Sequence, residues 1–340
     1  MTQSPFTPTT VRQYPKIDLH CHLEGSLSLV ALREMAQVTA TPLPTNDDRL
    51  QQLLTTTATD PTTTDYLKRF RPIIDLMQTT EQLQIAGFDI VRSAAADGLI
   101  YMETRSTPTL YTQGGLTLEQ AIEALLSGLH AGTKTFGIPV NAIVCGRRER
   151  SLAEISTVFK TAAKFADRGV VGLDLVGDEF DYPTVDLADA IRAAHATGLP
   201  IALHAGETAP VDNIVVAMTL NVARIGHGQR LNGFPAAMDR AKRTKTTLET
   251  CLTSSHHSTT LPDYPNLPLQ DFLAAGLKVT VNTNHRTIAN VNLTDEILAL
   301  HTHHHLDWPQ LRQLTLNAID GAFLPDIDKA NLRSQIPENQ

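Results

Sequence analysis

The sequence has no run of basic residues, no Cys-x-x-Cys spacing and no apolar stretch long enough to cross a bilayer. Each absence argues against a class of protein. Lysine and arginine total 28 against 36 aspartates and glutamates in 340 residues, a formal net charge of −8. Binding to a phosphate backbone usually needs a basic face, so nucleic acid is not an expected partner. A small neutral substrate is compatible with this balance. The three cysteines, Cys21, Cys145 and Cys251, all fall in predicted strands. An odd number of buried thiols argues for a reducing compartment and against a disulfide framework. The first fifteen residues are rich in Thr, Pro and Gln and lack the charged-then-apolar pattern of a signal segment. With no membrane-spanning run either, the expectation is a cytoplasmic protein with no membrane partner.

What is present is an alternation. Eight short apolar segments, 16–22, 98–106, 140–146, 170–176, 200–204, 223–227, 246–251 and 278–283, are mostly rich in Val, Ile and Leu. Such runs read as buried parallel strands. Between them lie amphipathic stretches such as 151–168 and 185–197, followed by Gly169 and Gly198 as stop signals. Strand alternating with helix eight times predicts an α/β protein with a single (β/α)8 TIM barrel. A doubly wound open sheet is the alternative, disfavoured because no glycine-rich phosphate loop follows the first strand. The whole chain, 1–340, is expected to be one catalytic barrel domain, with its core at 14–324. The first two strands are separated by an oversized connection, 23–97. Its middle, 39–64, is Thr- and Pro-rich with little periodicity, and 65–77 reads as helical with a break at Pro72. A long insertion on the active face of a barrel is a candidate lid. The 325–340 tail is polar and expected to be peripheral.

The chemistry-bearing residues fall at predicted strand ends, where barrels build their active face. His20 and His22 lie two apart on the first strand and so point to one face. His204 ends a distant strand. Three imidazoles with an open position form the ligand pattern of a catalytic zinc. Glu207 follows His204 by three residues. Beside a metal pocket, desolvation would keep its carboxyl protonated for use as a general acid; the alternative is a helix N-terminal glutamate. His227, between Gly226 and Gly228, is open to three roles: fourth ligand, base or orienter of the water, or core histidine. The base or orienter fits best. The 174–179 segment ends the fourth strand. There Gly177 would let a backbone N–H reach a substrate, and the carboxylates are loop acids or partners of the histidines. No lysine ends this strand to bridge two metals, so one zinc per chain is expected. The tract His301-Thr302-His303-His304-His305 resembles a metal site but precedes an outer helix, away from the strand ends.

These stretches resemble the adenosine deaminase group of the amidohydrolase superfamily over roughly residues 14–324. Pro15 to Ser26 resembles the opening motif and Tyr101 to Pro108 the second-strand motif. Asp174 to Glu179, His204-Ala205-Gly206-Glu207 and Gly226-His227-Gly228 follow in order. Leu248-Glu249-Thr250-Cys251 resembles the seventh strand, and Tyr66 to Phe70 the helix that covers the purine. The resemblance implies zinc-dependent hydrolytic deamination of adenosine, and of deoxyadenosine, to inosine-type products and ammonia. Zinc at His20, His22 and His204 would activate a water to add to C6. Glu207 would protonate N1, and His227 would orient or deprotonate the water. Among the substrate contacts it implies are His22, Gly177 to N3 and Glu24 to the ribose.

Three positions depart from the family pattern. Asn284 stands where the family has a zinc-binding aspartate; an amide oxygen is a weaker ligand than a carboxylate and accepts no proton. His285 occupies the place of a residue that contacts N7, where an imidazole can still donate. Glu24 replaces the aspartate of adenosine-specific members, and its extra methylene reaches into the ribose site. The leading expectation is an adenosine deaminase, slowed by Asn284. The alternatives are a deaminase of adenine or a modified 6-aminopurine, and a purine-nucleoside-binding protein with little turnover.

Overall fold

The computed structural model describes residues 5–56 and 63–338. Eight strands follow one another, each separated from the next by one or more helices: β1 (Lys16–His22), β2 (Leu99–Ser106), β3 (Val140–Arg147), β4 (Val170–Val176), β5 (Ala202–Ala205), β6 (Arg224–His227), β7 (Thr247–Thr250) and β8 (Lys278–Val281). They pair in parallel in chain order, β1 to β4 and β5 to β8. Two single bridges join these halves: Leu173 pairs with Ile201, and Cys21 pairs with Asn284. At the second seam Asn284 N–H donates to His20 O at 2.8 Å, and its carbonyl accepts from His22 N at 2.7 Å. The result is a closed (β/α)8 barrel.

Helices form where the apolar period and the caps agree. The 151–168 stretch becomes a helix at Leu152–Ala163, started by a reciprocal Ser151/Glu154 cap and followed by a short turn at Ala166–Arg168. Gly169 and Gly198 both take positive φ (107° and 81°), the conformation their stop role requires. Pro72 falls near the start of a second short helix, Arg71–Ile74, so the 65–77 stretch breaks just before it, after Thr63–Lys68. The 39–64 stretch holds more order than its weak periodicity predicted. Asn46 caps a helix at Asp47–Leu54 that buries only Leu50 and Leu54, too few apolar positions to make a strong pattern. Residues 57–62 of that stretch lie outside the described residues. The polar tail likewise carries a helix, Asp326–Arg333, with only Leu332 buried. Among the described residues no helix is long and apolar enough to cross a membrane.

The strands are not purely apolar. Glu103, Arg105, Asp174, Arg224 and Glu249 project from β2, β4, β6 and β7 and are almost wholly buried. Charges survive in such an interior only when paired. Arg105 Nε donates to Asp174 Oδ2 at 2.7 Å, and its guanidinium also pairs with Glu249. Arg224 pairs with Glu103 at 2.5 Å and lies 2.6 Å from Glu249.

Candidate active site

His20 and His22 come from the end of β1 and His204 from β5, and all three rings are buried. One ring nitrogen from each falls within 4.8 Å of the others. The outer nitrogens are fixed by carboxylates. His20 Nδ1–H donates to Glu249 Oε2 at 2.8 Å, and His204 Nδ1–H donates to Asp174 Oδ2 at 3.0 Å. A neutral imidazole that donates from Nδ1 must carry a lone pair on Nε2. His20 Nε2 is buried with no partner, and the Nε2 atoms of His22 and His204 lie only 3.1 Å apart. Ring nitrogens that converge in a buried site are what a cation would satisfy, and carboxylates behind the ligands are the usual support. Burial, followed by Arg105 for His20 and by the neighbouring His285 and His204 rings for His22, holds both well below the ordinary imidazole range, so both are available as neutral donors. The donor set therefore fits a metal. Gly226 permits the arrangement, since a Cβ there would sit 2.8 Å from His20 Cε1.

Asn284 follows β8 with φ of +59°. Its Nδ2 donates to Ser254 Oγ at 2.9 Å, and its Oδ1 is buried without a partner. His285, its neighbour, is not among the converging donors. It stacks on His22 with ring centroids 4.9 Å apart and shares a 2.6 Å hydrogen bond with Tyr66. Burial presses its imidazole down to about 3.

Glu207 lies on the bend after β5, ahead of the helix Asp212–Thr219, so it is not a residue of that helix's first turn. Burial pushes its carboxyl up to about 7, although its side chain keeps 24 % exposure. His227, at the end of β6 with φ of +66°, places Nε2 3.5 Å from Glu207 Oε2. Burial, then the proximity of His204, keeps its ring well below the ordinary range. The bend is held by Glu179, whose carboxylate accepts from the N–H groups of Gly206 (2.8 Å), Thr208 (2.6 Å) and Ala209 (3.2 Å).

The remaining predicted contacts are more dispersed. Glu24 is buried, and its Oε1 accepts from Thr107 N at 2.7 Å and Tyr111 O–H at 2.5 Å. Burial raises its carboxyl, with those two donors working against the shift. Gly177 takes φ of +117° beside Glu149, whose Oε1 accepts from Asp178 N at 3.0 Å. The 301–305 histidines end the helix Leu293–His304; His301 stacks on Phe6 and His303 on Tyr264.

Sequence reasoning missed three supports. Glu249 and Arg105 were parts of motifs with no role, and Ser254 was not singled out. A usable signal existed for two of them: a charge in the middle of a buried strand demands a partner.

Fold and site together define the class, a barrel hydrolase of the amidohydrolase type. The adenosine deaminase family matches residues 15–339. The chain is 38 % identical to an adenosine deaminase of Enterococcus faecalis, covering 96 % of this chain and 97 % of that one. It is similar in fold to an amidohydrolase of Burkholderia ambifaria with bound zinc (TM-score 0.88, 24 % identity, 98 % of this chain and 92 % of that one). It is also similar in fold to an adenine deaminase of Arthrobacter aurescens (TM-score 0.86, 24 % identity, 95 % and 98 %). The chain belongs to the adenosine deaminase family.

Proposed function

We propose that this hydrolase removes the 6-amino group of adenosine and deoxyadenosine by addition of water, releasing ammonia and leaving the 6-oxo nucleoside. The convergence of His20, His22 and His204 on one point, with Glu249 and Asp174 behind two of them, carries this reading. These three would hold one zinc, with Asn284 the fourth candidate, and the ion would supply Lewis-acid activation of water near neutral pH.

The chain's own groups do the rest. Glu207, whose carboxyl is pushed up to about 7, remains substantially protonated near neutrality and donates a proton to ring N1. That transfer removes charge from the ring as water adds to C6. His227, neutral and close to Glu207, accepts a proton from the attacking water. The departing amine leaves as ammonia once it has gained a proton. His22 and His285 flank the base, Gly177 N–H meets N3 and Glu24 meets the ribose. The site lies in one catalytic barrel domain, with the 23–97 insertion as its cover, in a cytoplasmic protein.

Free adenine is a second substrate reading, favoured by Glu24. Its Oε1 is already engaged by Thr107 and Tyr111, which leaves less capacity for a sugar hydroxyl. Ammonia release from adenosine, deoxyadenosine and adenine by zinc-loaded protein separates the readings. Nucleoside turnover supports the first and turnover of adenine alone the second. No release from any of the three points to a binding protein.

A further inference from the structure

Tyr66 belongs to the insertion, yet it reaches the metal-site histidines through His285. Its phenol oxygen lies 2.6 Å from His285 Nδ1. A phenol is a stronger proton donor than a neutral imidazole N–H, and an imidazole nitrogen is a stronger acceptor than a phenol oxygen. The pair therefore settles with Tyr66 O–H donating to Nδ1. A neutral imidazole has one N–H, which must then sit on Nε2. Nε2 makes no hydrogen bond to a described residue, and unlike His20 Nε2 it is not sealed away.

The ring has little freedom to turn. It stacks on His22 on one side, and Phe70 meets it edge-on at 4.8 Å. Gly25 lies so close that a Cβ there would fall 2.5 Å from His285 Cδ2.

We propose that Tyr66 is a specificity-determining positioning residue: it fixes His285 in the Nε2–H tautomer, so that the pocket offers a donor to an unprotonated ring nitrogen of the bound base. This rests on the 6-aminopurine reading above and adds the means by which the insertion helps to select the ring. A ring with C–H at the matching place has no acceptor and loses the contact.

The test uses zinc-loaded enzyme and inhibition constants for adenosine, 3-deazaadenosine and 7-deazaadenosine against turnover of 2′-deoxyadenosine. Wild type should bind one deaza analogue more weakly than adenosine. Tyr66→Phe should weaken adenosine by about threefold to tenfold, the worth of one hydrogen bond, while leaving that analogue unchanged. Equal weakening of all three ligands, as from a loosened cover, overturns the proposal, and so does an unchanged preference. In a His285→Gln background the amide N–H does not depend on a tautomer. Adding Tyr66→Phe there should leave the preference alone, and a persisting effect overturns the proposal. Melting temperatures confirm that each variant is folded. Failure of wild type to release ammonia from 2′-deoxyadenosine overturns the nucleoside-deaminase reading itself, before any variant is compared.

Discussion

Asn284 donates its side-chain amide to Ser254 Oγ at 2.9 Å, and this bond leaves Oδ1 buried and unshared. The backbone of Asn284 is held just as firmly, bonded to His20 O and His22 N across the barrel seam. A residue held through both its side chain and its backbone, beside two candidate ligands, is a built feature of the site. If Asn284 is the fourth side chain of a metal site, that side chain is neutral rather than anionic.

Replacing Asn284 with Asp tests that neutrality. Ser254 can turn to donate to the carboxylate, so the local bonding survives. Turnover should rise by at least about tenfold, a barrier change of about 1.4 kcal/mol. Steady-state kinetics at saturating zinc read the outcome, and an unchanged rate removes Asn284 from the chemistry.

The carboxylate behind His20 should matter nearly as much as the ligand. Glu249→Gln keeps an acceptor for Nδ1–H but removes the charge that pairs with Arg105 and Arg224. Zinc affinity, measured by chelator competition, should fall by about 10- to 100-fold. Arg105 and Arg224 each keep a second carboxylate, Asp174 and Glu103, so stability should fall, but by less than the roughly 3–5 kcal/mol of a fully unpaired buried charge. Wild-type affinity and melting temperature together would contradict the assigned support.

As the proposed general acid, Glu207 would set the pH dependence. Its carboxyl is raised from 4.5 to about 7 by burial, so the acid form dominates below 7 and is lost as pH rises through that value. Turnover that needs this proton should therefore decline above about pH 7. Glu207→Gln, which cannot give up a proton in this way, should lose about 10²- to 10⁴-fold. A variant with wild-type rate and an unchanged alkaline limb would exclude the acid role.

The proposed contact of Glu24 with the ribose is tested by substrate preference. Shortening it to Asp draws the carboxylate back from Thr107 and Tyr111 and opens space at the ribose site. The ratio of kcat/KM for adenosine over adenine should increase. An unaltered ratio takes Glu24 out of the ribose site.

Much of this fold is written in local pattern. β1 and β4 begin and end where their apolar runs do, at Lys16–His22 and Val170–Val176. The shorter strands, such as Ala202–Ala205 and Lys278–Val281, lie within or a residue beyond their runs, because parallel pairing stops before burial does. The histidines were legible from the two-residue spacing of one strand. The 174–179 acids already offered a partner for the histidines, and Asp174 is one, but nothing paired Glu249 with His20, because that contact depends on distance along the chain. Glu249 is 229 residues from His20, and only barrel closure brings them together. Asp47–Leu54 was hidden for the opposite reason: it packs too few apolar side chains to leave a period.

The most direct measurement is elemental analysis of protein purified with zinc supplied and then dialysed, beside His20→Ala and His204→Ala. The account predicts about one zinc per wild-type chain, the usual load of a single three-histidine site, and strong depletion in both variants. Wild-type protein free of bound transition metal, or variants that retain a full complement, would contradict it.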